Sequence, residues 1–301
     1  MNAIFDMQLT IFALLVVGFF VRRKGLFSSE GERSLADLVI YVVLPCNIVT
    51  SFLTGGGRDT LRDCLAIFLI SCGIQAFTIY YGRLLYRRQP EDRRICLEYG
   101  IVVSNAGYLG NPIAEGVFGP LGLMYASVYL IPQRIMMWSA GLSLYTGSHN
   151  LKATLIKVLT HPCIIACEVG TFLMLTGLQL PGFIMAPLSA IGRCCTALSM
   201  LIIGMILARI DLDSLKDKTL LWYSLNRLVI IPLIVYLVCL LLPVSHLARG
   251  VSVILAAMPA GASTSILALK YDRDPAFATE LVIVSTLLSI PAVMIWSMIL
   301  K

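Results

Sequence analysis

Ten apolar stretches divide this 301-residue chain almost from end to end. Each is close to the ~20 residues that carry a helix across a ~30 Å hydrocarbon core. They run roughly 4–21, 34–53, 63–86, 95–118, 121–145, 158–178, 187–208, 219–242, 249–270 and 276–300. Lipid offers backbone groups no hydrogen bonds, so spans of this length are expected to be helices, which satisfy those groups internally. The predicted class is therefore an all-α membrane protein. Charge agrees: 13% of residues are charged, about half the ~25% of soluble domains. An ordinary soluble globule, a disordered chain and a nucleic-acid-binding domain are excluded. The net charge of +6 lies mainly in the short gaps between apolar stretches.

The gaps also give an orientation. The odd-numbered gaps and the helix ends beside them hold 16 Lys and Arg, and the other side holds 4. Basic residues concentrate on the cytoplasmic side of membrane proteins. Both termini are thus expected outside the cytoplasm, in a multi-pass protein of a cell membrane, the inner one in a bacterium. Met7–Val21 runs directly into Arg22-Arg23-Lys24 without a small-residue cleavage site, so the first span is expected to be retained.

Chemistry-bearing motifs are few. Cysteines 46, 72, 96, 163, 167, 194, 195 and 239 lie in or beside apolar stretches, where cysteine acts as a small buried hydrophobe. Cys163/Cys167 and Cys194/Cys195 lack histidines at metal-ligand spacing. His149, His161 and His246 sit in gaps or at span ends, so neither a metal nor another cofactor is expected. No Gly-x-Ser-x-Gly elbow or Gly-x4-Gly-Lys-Ser/Thr loop occurs, which argues against an enzyme and against ATP driving. The gaps are too short to house a soluble sensor domain. A channel-like protein remains a rival to a carrier, and so does a carrier of some non-anionic solute; saturation of flux separates channel from carrier.

Ten spans divide into a first five-helix unit (1–145), a short cytoplasmic linker (146–157) and a second five-helix unit (158–301). An odd number per unit makes the second enter the membrane from the opposite side, as in inverted repeats. Two spans are interrupted at corresponding places. The fourth contains Asn105-Ala-Gly-Tyr-Leu-Gly-Asn111-Pro112, with Gly110 before Asn111, and the ninth contains Met258-Pro259-Ala-Gly261-Ala-Ser263-Thr264-Ser265. Proline removes a backbone donor and glycine weakens a helix. Two broken helices should therefore meet each other or line a wet cavity. Their N-terminal half-helix ends carry free N–H groups and partial positive charge, which suits an anion.

Charged groups within spans cost about 2.5–3.5 kcal/mol on insertion scales. Arg134 is the deepest, beside Gln133, and is the candidate clamp for a substrate carboxylate. Glu115 and Glu168 are candidates to pair with it or to carry a coupling proton. Asp37 and Glu280 lie near span ends and are read as reaching water, as are Arg193 and Arg227. Asn47, two residues after Pro45, is a candidate wall of the site.

Four segments together resemble the auxin efflux carrier family, the bacterial relatives of the PIN-formed auxin exporters. They are Arg23-Lys24-Gly25-Leu26 with Tyr41-Val-Val-Leu-Pro45, then Asn105 with Gly110 and Pro112. The third runs from Met258-Pro259-Ala-Gly261 to Asp274-Pro275, and the fourth is Ser285-Thr286-Leu-Leu-Ser289-Ile-Pro291. The resemblance spans the whole chain. It implies two inverted repeats of five helices. The first two spans of each would form a scaffold, and the last three an elevator-type transport domain with its broken helices crossing at the substrate. It also implies a homodimer in a lipid bilayer and export of a small organic anion such as malate or malonate. It leaves proton coupling, sodium coupling or neither open.

Overall fold

The computed structural model describes residues 3–54, 58–146, 151–209 and 216–300. Parts of the expected linker, with His149, and the terminal Lys301 lie outside the described residues. All regular structure among the described residues is helical, apart from one isolated bridge. Among the described residues six helices are long and apolar enough to cross a membrane, and Pro162–Thr176 and His246–Ala256 are shorter apolar ones.

We number the helices α1 (Ala3–Arg23), α2 (Ser29–Phe52), α3 (Arg58–Tyr86), α4 (Glu91–Val102), α5 (Ala106–Tyr145), α6 (Leu151–Leu159), α7 (Pro162–Thr176), α8 (Gly182–Leu207), α9 (Lys218–Leu241), α10 (His246–Ala256), α11 (Ser263–Lys270) and α12 (Pro275–Ile299). Local chemistry sets many of the ends. Ser28, Asp217, Ser245 and Asp274 accept from backbone N–H groups at the starts of α2, α9, α10 and α12. Gly177 takes a left-handed conformation (φ 66°) and ends α7. Gly119, at φ 71°, folds α5 into arms 106–118 and 120–145.

Wide π-turns occur at 39–43, 106–110, 137–141 and 226–230. Pro45, Pro112 and Pro232 each stand two residues beyond one of them. The proline lacks a donor and its ring crowds the preceding turn, and the wider turn makes room for it.

Two helix pairs are drawn from opposite halves of the chain, α1 with α8 and α2 with α7. At the α1–α8 crossing, Gly18 lies against the Leu201 carbonyl and Gly204 against the Leu15 carbonyl, so any side chain there would collide with backbone. This is the close approach that small residues allow in membranes. Gly170 of α7 lies on Phe52 of α2. Elsewhere Ser71 Oγ of α3 donates to the Tyr129 carbonyl of α5 (2.6 Å), and Trp296 Nε1 of α12 donates to the Leu228 carbonyl of α9 (2.9 Å). Many large apolar side chains face outward, among them Leu69, Phe172 and Leu241. Contiguous exposed apolar surface of this kind belongs in lipid.

Candidate functional site

The two interruptions seen in the sequence meet in space. Val103 leaves the helix at φ −110°, ψ 100° and opens the gap between α4 and α5. Residues 257–262 separate α10 from α11. Ser104 and Ala260 form an antiparallel bridge. Asn105 N–H donates to the Pro259 carbonyl (2.8 Å), and Gly261 N–H donates to the Val103 carbonyl (3.0 Å). Each break thereby pairs backbone groups that lipid could not. Gly261 eases this approach: a Cβ there would stand 3.2 Å from the Val103 oxygen, tighter than an ordinary contact, and 3.4 Å from that of Ser104. A Cβ on Gly110 would stand 2.5 Å from Leu255 Cδ2 and 3.1 Å from Met258 Cγ, so the arm after the first break packs closely on α10.

Side chains complete the crossing. Gln133 Nε2 donates to the Ser104 carbonyl (2.7 Å), and Ser104 Oγ donates to Gln133 Oε1 (3.1 Å). Both ends of that amide are thus committed to the first break. At the second break, Ala260 N–H donates to Ser285 Oγ (3.2 Å). Arg227, read from sequence as reaching water, does not do so. It is 3% exposed, and donates from Nε to the Met258 carbonyl (2.9 Å) and from Nη1 to the Ile101 carbonyl (3.1 Å). Sequence reasoning missed this role, because Arg227 lies in α9, far in sequence from both interruptions.

The crossing has two unlike faces. On one, the C-terminal ends of α4 and α10 converge on Arg227. On the other stand the N-terminal ends of α5 and α11. Beside the start of α5 lies Arg134, whose Nη2 would stand 3.9 Å from a Cβ on Gly107. Arg134 is 8% exposed and its Nη1 is buried without a hydrogen-bond partner. Among the described residues it pairs with neither Glu115 nor Glu168. Its charge bears on Cys163, Cys167 and His161 at the start of α7.

The other candidates are more dispersed. Asn105 lies at the bridge, and Pro112 is buried one turn into the arm that follows. Asn111 is wholly buried, with neither amide atom hydrogen-bonded. Pro259 contributes its carbonyl, and half-buried Ser263 opens α11. Asn47 Nδ2 donates to Glu115 Oε2 (2.8 Å), joining α2 to α5 away from Arg134. Glu168 is exposed on α7, among outward-facing Ile165, Val169 and Phe172. No cluster of three or more metal-ligating side chains occurs among the described residues.

Comparison with known proteins gives one consistent result. A family model described as membrane transport protein matches residues 3–153 and 148–297. An uncharacterized transporter of Methanothermobacter thermautotrophicus is 28% identical over 298 residues, 97% of each chain. One of Methanocaldococcus jannaschii is 24% identical over 314 residues, 98% of each chain. One of Escherichia coli K12 is 22% identical over 305 residues, 96% of this chain and 95% of its own.

Proposed function

Because the chain belongs to the membrane transport protein family, that of the auxin efflux carriers, we propose that it is a secondary carrier exporting a small organic anion, a mono- or dicarboxylate such as malate or malonate. The observation that carries the reading is Arg134: a buried guanidinium with an unpartnered Nη1, set beside a half-helix N-terminus. Two positive elements placed together without an acid repel each other. A carboxylate between them relieves that repulsion and forms charge-assisted bonds. Asn105, Gly110, Asn111, Pro112, Pro259, Gly261 and Ser263 build the ends that face it, and Gln133 positions the first break.

In this reading the chain crosses the membrane ten times, as two inverted five-helix repeats (1–145 and 158–301) joined by residues 146–157, with both termini outside the cytoplasm. The packing supports such a twofold. The α1–α8 pair corresponds to α7–α2, and the Ser71 bond between α3 and α5 corresponds to the Trp296 bond between α9 and α12.

The elevator division has its own support. We take α1, α2, α7 and α8 as scaffold and the rest as transport domain. Every ion pair among the described residues stays within one group. Glu32 joins Arg209 (2.7 Å) and Arg22 (3.9 Å) in the scaffold. Arg273–Asp92 (2.9 Å) and Arg93–Asp274 (3.2 Å) tie the transport group. Asn47–Glu115 and Tyr108–Ala36 (3.4 Å) are the side-chain hydrogen bonds that cross the seam among the described residues. Few polar bonds need break for one group to slide past the other.

The test is flux of labelled malate, malonate and indole acetate into proteoliposomes, with and without a pH gradient at clamped voltage. Saturable flux of one acid supports the carrier. Non-saturating flux favours a channel. No flux of any acid through folded protein turns the reading to other solutes and removes Arg134 from the site.

A further inference from the structure

Arg227 is a buried cation with no acid against it. It lies in the π-turn of α9, and its electrostatic neighbours are the phenols of Tyr86, Tyr129 and Tyr223. None of the ion pairs among the described residues includes it. A guanidinium held away from water and without a counter-ion is expensive, so something else must offset its charge. The two carbonyls it touches do so. Ile101 lies in the last turn of α4, and Met258 stands two residues past the end of α10, from opposite halves of the chain. Each C-terminal end carries about half a negative charge. Two converging ends therefore present about one, which a single guanidinium balances.

We infer that Arg227 is the resident cation of the crossing: a positioning residue that binds both C-terminal half-helix ends with one side chain and fills a place that would otherwise draw a small monovalent cation. The planar fork suits the task, because it reaches two separate carbonyls with fixed geometry, whereas lysine offers one point charge. By fixing those ends, Arg227 also fixes the bridge beyond them, since Met258 is followed directly by Pro259, whose carbonyl receives Asn105 N–H. The inference concerns the C-terminal face alone and does not depend on which solute is carried.

Thermal unfolding of the purified full chain tests it without any transport assay. Wild type, Arg227→Ala and Arg227→Lys are melted in sodium chloride and in choline chloride at equal ionic strength, with and without dilute methylguanidinium. Arg227→Ala is expected to melt several degrees below wild type. It should also gain a stabilising response to sodium or methylguanidinium that wild type lacks, because the emptied place then accepts a free cation. Arg227→Lys should melt between the two and stay insensitive to the added cation. Arg227→Ala melting with wild type, or melting lower with the same cation response as wild type, would overturn the inference and leave Arg227 as packing. Should Arg227→Ala not fold, Arg227→Met serves beside the lysine variant. A stable lysine variant with an unstable methionine variant supports the cation, and equal stability of the two overturns it.

Discussion

On one face of the helix crossing a buried arginine meets two negative helix ends; on the other a buried arginine lies beside a positive one. Arg227 donates to the carbonyls of Ile101 and Met258, and its charge is balanced within the protein. Arg134 has the same side chain and similar burial, but its Nη1 finds no partner. The chemistry of the two residues is identical, and the direction of the adjacent helices separates a cation that spans two carbonyls from one whose Nη1 is left without a partner. A protein keeps an unsatisfied buried charge only where something repays the cost, and a transported anion would do so.

The largest expected effect tests that difference directly. Arg134→Ala should abolish anion flux while leaving folded protein in the membrane. Truncating one partner of a buried charge pair costs about 2–5 kcal/mol of binding. Proteoliposome flux, normalised to folded protein, is the measurement. Wild-type flux would make the two faces alike and Arg134 structural.

Next are two glycines that lie close in the site and differ in surroundings. Gly261→Ala pushes a methyl against the Val103 and Ser104 carbonyls and should destabilise the crossing by about 1–3 kcal/mol, with loss of flux. Gly107→Ala meets only Arg134 Nη2, at an ordinary 3.9 Å. It should melt with wild type yet change the apparent affinity for the anion. Paired melting curves and saturation curves read both. An equal fall in stability would mean that the N-terminal face is as tightly packed as the bridge.

A smaller effect is expected at Gln133. Gln133→Leu removes the two bonds to Ser104 and leaves its buried carbonyl without that donor, at a cost of about 1–3 kcal/mol. The melting midpoint should fall, with flux reduced in proportion to folded protein. A rise in the substrate KM without a fall in the midpoint would instead put the Gln133 amide on the substrate.

Much of this architecture was legible in the sequence because proline, glycine and long apolar stretches act locally. The expected tenth span, 276–300, appears as Pro275–Ile299, and the expected turn between 118 and 121 falls at Gly119. The breaks at Asn105–Pro112 and Met258–Ser265 were visible for the same reason. Partners were not legible. Nothing near Gln133 in sequence announces that both ends of its amide are spent on Ser104, 29 residues away. Three arginines lie within apolar spans, and only the fold distinguishes them: Arg193 is exposed, Arg134 is unpaired, and Arg227 spans two carbonyls. One clue was available: a span that holds a cation and no acid must satisfy it with backbone or with a ligand.

The mildest test concerns the seam between the two helix groups. Glu115 accepts from Asn47 across that seam (2.8 Å), and Asp37 lies exposed in the N-terminal half of α2. In Glu115→Gln the amide oxygen can still accept from Asn47, so the contact survives while the charge is lost. Stability should shift by less than about 0.5 kcal/mol, as for Asp37→Asn, and flux without a gradient should stay close to wild type. The two variants part when a pH gradient is imposed at clamped voltage. If Glu115 carries the coupling proton, its variant loses the gradient response and Asp37→Asn keeps it, because Glu115, unlike Asp37, holds a hydrogen bond that relative movement of the two groups must break. A response retained in both variants would move the coupling to another group such as Glu168 and leave Asn47–Glu115 as a simple latch.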